Sequence, residues 1–269
     1  MTPDDRDEFF IGYAPPLPAR LATFITRVVV AGAAGVALAA AAIAAGHVRL
    51  EGGTFEFGTV RPATGTIVLR PYPALIEDAD AAVSPGADQP WRLLVAEGKH
   101  GADALLHGLD GARVRLDATR IERSGLRMLE VRAGSLVRLA DAAPPRPPAG
   151  ADNGGHAITL RGEIVDSKCH LGVMTPGDGR THAACASLCL RGGIPPALLV
   201  RDRGGRSTLY LLEDASGASL STAAADSAGE PLVVRGVVGQ RGSWRTLRTD
   251  PASWTRPRHG GAAGSSKGP

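Results

Sequence analysis

The stretch ARVRLDATRIERSGLRMLEV, residues 112–131, decides the fold class. Its VRLDATRI segment alternates apolar and polar side chains with the two-residue period of a half-buried strand. The pair Ser-Gly, which is typical of tight turns, separates this segment from a second one. A similar arrangement recurs in EPLVVRGVVGQRGSWRTLRT, residues 230–249, with Arg-Gly as the turn pair. Each stretch therefore predicts two neighbouring strands joined at a glycine.

The sequence around these two stretches also repeats its layout. Each block opens with a strand around a glycine, GTIVLRPYP (65–73) and GEIVDSKC (162–169), and continues with an apolar strand, WRLLVAEG (91–98) and PALLVRDRGG (196–205). A helical piece, ADALLHGLD (102–110), fits between strands three and four of the first block. This layout is similar to that of an OB-like five-stranded barrel. The predicted fold class is mainly β, with two tandem small OB-like β-barrels, and a β-sandwich is the alternative.

Composition agrees with short elements and many turns, because 35 glycines and 20 prolines occur among 269 residues. The 30 basic residues include only three lysines, and 27 acidic residues leave a net charge of +3. The seven aromatic residues that follow residue 47 are scattered, so the sequence predicts no binding of nucleic acid. It contains no phosphate-binding loop, dinucleotide fingerprint or nucleophile elbow, and therefore predicts no nucleotide cofactor and no catalytic residues.

An uncharged, proline-free segment, residues 28–46, is long enough to cross a bilayer as a helix. Small residues at its end also suit a cleaved signal peptide, but the acidic leader of residues 1–27 argues for a retained anchor. Arg20 and Arg27 favour a cytoplasmic amino terminus. We therefore expect a single-pass protein of the inner (plasma) membrane, with periplasmic or extracellular barrels.

The chain divides at changes of composition. The predicted parts are a cytoplasmic segment (1–27), a transmembrane helix (28–46), the first OB-like domain (48–139), a Pro/Gly linker (140–155), the second OB-like domain with the Cys/His cluster (157–254) and a disordered tail (255–269).

All three cysteines of the chain lie in one short segment of the second block, together with two histidines and a methionine. They are Cys169, Cys185, Cys189, His170, His182 and Met174. The run HAACASLCLR predicts a short helix between a cap at Thr181 and an end at Gly192. His182, Cys185 and Cys189 stand at i, i+3 and i+7, on one face of that helix. Cys169 can reach this face through a glycine-rich loop, which would complete a Cys₃His site.

Such a site suits tetrahedral zinc, whereas thiolates with a nearby thioether suit copper as Cu(I). Met174 and His170 are candidates for additional ligands. Two alternatives remain open from the sequence. A structural disulfide between Cys169 and Cys185 or Cys189 would tie the helix to the barrel, and a thiol redox site would shuttle between dithiol and disulfide.

The motif GEIVDSKC, followed by HAACASLC and a Gly-Gly pair, resembles a pattern of small bacterial secreted or membrane-anchored OB-like domain proteins. Their pattern is Gly-x-hydrophobic-x-Asp-x-x-Cys, then a helix with Cys-x-x-x-Cys, then glycine. The likeness covers residues 160–200 and implies an envelope location without implying an activity.

Two functional hypotheses follow. The first is a membrane-anchored periplasmic protein with a copper, zinc or thiol redox site, accessory to a respiratory or redox assembly. The second is a non-catalytic anchored scaffold, held by a disulfide, that binds another envelope protein. The spacing of residues identifies no paired acid and base, so enzyme activity is not indicated.

Overall fold

The computed structural model describes residues 18–48, 52–78, 91–140 and 155–257. The chain separates into two units, residues 1–51 and 52–269. The first unit holds helix α1 (Ala19–Val48), and the second holds both sets of strands.

Helix α1 is long and apolar enough to cross a membrane between Ala19 and Gly46, and its length and composition fit a signal sequence equally well. It begins well before residue 28, where the prediction placed the start of the apolar segment. The added turns carry polar side chains whose hydrogen bonds stay within the helix. Thr23 and Thr26 each donate to the carbonyl oxygen four residues earlier, so neither hydroxyl is left unsatisfied.

Within the described residues, the first barrel contains five strands and a short sixth one. They are β1 (Thr54–Val68), β2 (Ala74–Glu77), β3 (Trp91–Ala96), β4 (Arg113–Arg123), β5 (Leu126–Val131) and β6 (Val137–Arg138). The strand order is β1-β2-β3-β5-β4, and the pairing of β1 with β4 closes the barrel. All pairs are antiparallel except β3 with β5. The predicted Ser-Gly turn joins β4 to β5, with positive φ at both Ser124 and Gly125.

The second barrel repeats this topology. Its strands are β7 (Ala157–Asp166), β8 (Pro196–Arg201), β9 (Ser207–Glu213), β10 (Pro231–Arg241) and β11 (Trp244–Thr249). They close in the order β7-β8-β9-β11-β10, and β9 with β11 is again the parallel pair. Helix α2 (Ala183–Arg191) lies between β7 and β8, and the short helix α3 (Ser221–Ala224) lies between β9 and β10. The predicted fold class, two OB-like barrels with a cysteine-bearing helix in the second, is confirmed.

Three local predictions differ from the structure. Residues 102–110 form turns and not a helix, because Gly108 and Gly111 adopt positive φ and interrupt the helical hydrogen bonds after one turn. Strands β2 and β9 had no predicted counterpart. The two apolar strands that look equivalent in the sequence are not, since β3 is third in its barrel and β8 is second.

The hydrophobic residues that the structure describes form three clusters, one inside each barrel and one that both barrels share. The segment of β3 from Leu93 to Ala96 has no polar residue, and the packing of the barrels explains why. Trp91, Leu93 and Val95 join the shared cluster, whereas Leu94 points into the interior of the first barrel. A strand buried on both faces loses the alternation of polar and apolar residues.

Polar contacts also join the barrels. The hydroxyl of Tyr72, in the connection between β1 and β2, donates to the carbonyl oxygen of Leu212 and accepts from the amide of Leu220. Burial of this phenol raises its pKa far above the ordinary value. The two barrels therefore pack as one unit.

The predicted domain bounds stay predictions, although the strands of each barrel lie inside them. Most of the predicted linker (141–154) and of the predicted tail (258–269) lies outside the described residues, as do residues 1–17 of the predicted cytoplasmic segment. Thr255, at the start of that predicted tail, pairs with Val233 of β10.

Candidate metal centre

The cysteines lie in the long connection between β7 and β8. This connection begins with buried Asp166 at the end of β7, makes a π-helical turn at Cys169–Val173 and then forms α2. The amide of Cys169 donates to Asp166 Oδ1 at 2.8 Å, which fixes the start of the turn. Helix α2 is capped at His182, one residue later than the predicted cap at Thr181.

The three sulfur atoms converge. The Sγ atoms of Cys169, Cys185 and Cys189 all lie within 4.8 Å of one another, and all three thiols are free. Cys169 and Cys189 are buried in the cluster that both barrels share, while Cys185 is partly exposed beside it. This sulfur triad is a set of soft ligands from the π-helical turn and one face of α2, and it could hold a metal ion.

His182 belongs to a second group of potential ligands. Its imidazole, a carboxylate oxygen of Asp166 and the sulfur of Cys169 lie within 4.8 Å of one another, and all three residues are buried. The Nε2 atom of His182 is 3.0 Å from Asp166 Oδ2. Cys169 is thus common to both groups. The structure brings His182 to the cluster through Cys169 and Asp166, with one ring nitrogen already engaged by a carboxylate.

A lysine from the first barrel completes the surroundings of the sulfurs. Lys99, in the turn after β3, places its Nζ atom 2.8 Å from Cys185 Sγ and 3.8 Å from Cys189 Sγ. The hydrogen bond to Cys185 raises the pKa of Lys99, so its ammonium is the stable form. The cluster therefore lies between the barrels, with ligands from one barrel and a positive charge from the other.

The hydrogen bonds and charges around the sulfurs move the pKa values of Cys169 and Cys189 in opposite directions. A hydrogen bond from Cys169 lowers the pKa of Cys189 to about 7, with help from the charge of Lys99 and against the effect of burial. The same hydrogen bond, together with burial and the charge of Asp166, raises the pKa of Cys169. Its bond to Asp166 raises the pKa of His182. In the metal-free cluster the thiolate is therefore favoured at Cys189 over Cys169, and metal binding must displace the proton that Cys169 retains.

Lys168 holds the turn that carries Lys99. Its buried ammonium forms an ion pair with Glu130 of β5 and donates to the carbonyl oxygens of Ala96 and Gly98, at 2.8 and 2.6 Å. Lys168 directly precedes Cys169, so the same segment provides a sulfur and a clamp, by which we mean the contacts of the Lys168 ammonium with Glu130, Ala96 and Gly98 of the opposite barrel. The clamp fixes the position of the turn relative to the sulfurs.

Gly192 explains how closely the turn approaches α2. A Cβ atom at this position would lie 1.8 Å from the carbonyl oxygen of Lys99. Its φ of −76° suits any residue, so glycine is needed here for space and not for a left-handed conformation. The Gly101 amide then donates to the Gly192 carbonyl oxygen at 2.8 Å.

The two additional ligands that the sequence suggested are placed differently. His170 is buried and directs Nδ1 towards Asp178 Oδ2, 3.4 Å away, which lowers the pKa of that carboxyl. Arg201 also contacts Asp178, so this carboxylate joins His170 to Arg201 and not to the sulfur triad. Met174 is 44% exposed, in contrast to the buried residues Cys169 and Cys189. Their roles as ligands stay predictions.

Sequence reasoning missed Lys99, Lys168 and the bond between Asp166 and His182. The signal for the lysines was their rarity, since two of the three lysines in an arginine-rich chain border this cluster. One carboxylate oxygen of Asp166 caps the turn at Cys169, while the second oxygen contacts His182.

No family model, curated protein or solved structure matches this chain.

Proposed function

We propose that this is a membrane-anchored envelope protein that binds one copper or zinc ion at Cys169, Cys185 and Cys189 and serves a respiratory or redox assembly. The observation that carries the proposal is the convergence of three free sulfurs within 4.8 Å at the junction of two barrels. Three thiolates form a trigonal set that suits Cu(I), and with one more ligand they form a tetrahedral set that suits Zn(II).

The surroundings of the sulfurs support a metal site over buried structural cysteines. Cys189 has a lowered pKa and Lys99 offers a positive charge to two sulfurs, so thiolates, the form that binds metals, are stabilised. The bond between His182 and Asp166 orients an imidazole beside Cys169, as carboxylates do for histidines around metals. In this proposal His182 is the fourth ligand of zinc, or an orienting neighbour of Cu(I).

Exposure supports transfer of the ion to a partner. Cys185 is partly exposed while the other two sulfurs are buried, so an incoming ligand meets Cys185 first. Helix α1 supplies the membrane anchor in this proposal, with the amino terminus in the cytoplasm and both barrels in the periplasm. An oxidising compartment would convert adjacent unbound thiols to a disulfide, and a bound metal would protect them.

The same closeness of the sulfurs favours a second candidate, a non-catalytic scaffold for another envelope protein. The Cys189 thiolate lies beside the Cys169 thiol in the shared hydrophobic cluster. Oxidation of this pair would join α2 covalently to the end of β7. This scaffold would keep one free thiol and hold no metal.

The test is elemental analysis with a thiol count on the reduced, detergent-solubilised full chain, after equilibration with zinc or Cu(I). We expect one ion per chain in the wild type, loss of this ion in Cys189→Ser, and retention in Leu188→Ala, an exposed neighbour on the same helix. Protein isolated without reductant that contains no metal and only one reactive thiol would support the scaffold instead.

A further inference from the structure

The sulfur triad has a positively charged neighbour, Lys99, that is not one of the proposed metal ligands. The ammonium of Lys99 lies 2.8 Å from one sulfur and 3.8 Å from another, although Lys99 belongs to the other barrel. Resting on the metal function proposed above, we propose that Lys99 biases this site towards the monovalent ion Cu(I) and against the divalent ion Zn(II).

The position of this ammonium is set by contacts on both sides of its turn. Lys168 donates to the carbonyl oxygens of Ala96 and Gly98, just before Lys99. The Gly101 amide, just after Lys99, donates to Gly192 at the end of α2. The backbone of the turn is thus fixed on the helix that carries Cys185 and Cys189. The charge is held at the site by the packing of the two barrels.

Charge discriminates between the two ions because repulsion scales with the product of the charges. An ammonium a few ångströms from the metal repels a dication twice as strongly as a monocation at the same position. Its attraction for the thiolates is the same with either ion, and therefore cancels in the ratio of the two affinities. The change in this ratio on removal of Lys99 isolates the effect of metal charge.

Among the residues that the structure describes, two other charged pairs lie beside the triad. Asp166 lies 3.0 Å from His182, and Lys168 forms its ion pair with Glu130. Lys99 instead directs its ammonium at sulfur. Arg191, on the same helix as two of the cysteines, contacts Asp226 at 2.5 Å and provides a matched control.

The experiment compares Lys99→Met and Lys99→Arg with the wild type and with Arg191→Met. Affinities for Cu(I) and Zn(II) are measured without oxygen on the reduced full chain in detergent, by competition with a chelator for each ion. Lys99→Met should shift the ratio of the Cu(I) and Zn(II) affinities about tenfold or more towards zinc. The shift is smaller than for a buried charge, because Lys99 is solvent-exposed and water and salt screen its ammonium. Lys99→Arg and Arg191→Met should keep the wild-type ratio. Ag(I), monovalent and inert to oxidation, should follow Cu(I).

An unchanged ratio in Lys99→Met would overturn the selectivity role while leaving the metal site intact. An equal shift in Arg191→Met would also overturn it, because general surface charge would then explain the effect. If the wild type bound neither ion, the proposed function itself would fail, and the selectivity role with it. Lys99→Gln, which keeps a polar end, provides a second neutral variant, and circular dichroism verifies that each variant is folded.

Discussion

The two barrels share one topology and differ in the connection between their first and second strands. In the first barrel residues 69–73 suffice, and they present Tyr72 to the other barrel. In the second barrel residues 167–195 take this place and carry every cysteine of the chain. The barrel strands are thus common to both copies, and the cysteines lie in a connection that the strands hold in place. The longer connection of the second barrel carries the candidate metal ligands, and the first barrel contributes a docking face and a lysine.

The interface between the barrels is therefore part of the site. Cys169 and Cys189 lie in the hydrophobic cluster shared with Trp91 and Ile121 of the first barrel. Lys168 extends from the cysteine loop into the first barrel, and Lys99 extends from the first barrel to the cysteines. Each barrel contributes a lysine that contacts the other barrel. Substitutions that weaken this interface therefore test whether the first barrel supports the cysteine loop of the second.

The largest effect is expected for Lys168→Met. The change removes a buried ion pair and leaves Glu130, whose side chain is 13% exposed, without its cation. We expect a loss of about 3–5 kcal/mol in the free energy of unfolding, because an uncompensated buried charge remains. Urea unfolding followed by the fluorescence of buried Trp91 and Trp244 measures it.

Two further variants provide a control and a rescue for this measurement. Arg127→Met removes a cation from a more exposed pair with Glu122 and should cost under about 1 kcal/mol. Adding Glu130→Leu to Lys168→Met should restore part of the lost stability, since the stranded charge is then gone. Equal losses of unfolding free energy in Lys168→Met and Arg127→Met would show that the buried pair of Lys168 and Glu130 stabilises the protein no more than an exposed ion pair does.

A smaller effect is expected for Gly192→Ala, which separates the turn of Lys99 from α2. The added methyl group would overlap the Lys99 carbonyl oxygen and force the turn to move, at a cost of about 1–3 kcal/mol. The zinc-to-copper affinity ratio should shift in the same direction as in Lys99→Met, because the ammonium moves away from the sulfurs. Gly204→Ala, in an exposed loop where the nearest atom is on a side chain 3.2 Å away, is the control and should change neither quantity.

The smallest effect is expected in the titration of the metal-free cluster. The hydrogen bond from Cys169 is the largest cause of the lowered Cys189 pKa, about 7, because a donor stabilises the thiolate. Cys169→Ala should therefore move the midpoint of thiolate formation upwards in pH, towards the ordinary thiol value. Ultraviolet absorbance of the thiolate against pH records it. Cys185→Ala, which removes a weaker contribution, should raise the midpoint less, and the reverse order would contradict this assignment.

The sequence by itself determined the fold class and the location of the chemistry. The alternating segments around Ser124 and Gly242 specified strand pairs, because a half-buried strand needs a two-residue period and a tight turn needs glycine. The confinement of the cysteines to residues 169–189 located the candidate site, since the helical spacing alone puts Cys185 and Cys189 on one face. Both signals are local, and local patterns are what a sequence displays directly.

Only the tertiary structure decided how the barrels meet and what surrounds the sulfurs. Strands buried on both faces, such as β3, have no period that tells the barrel interior from the shared cluster. Lys99 is remote in sequence from Cys185, and no spacing rule relates them. The bond between Asp166 and His182 likewise depends on where a loop returns. These contacts arise from packing two closed surfaces together, and packing is a property of the whole chain rather than of any segment.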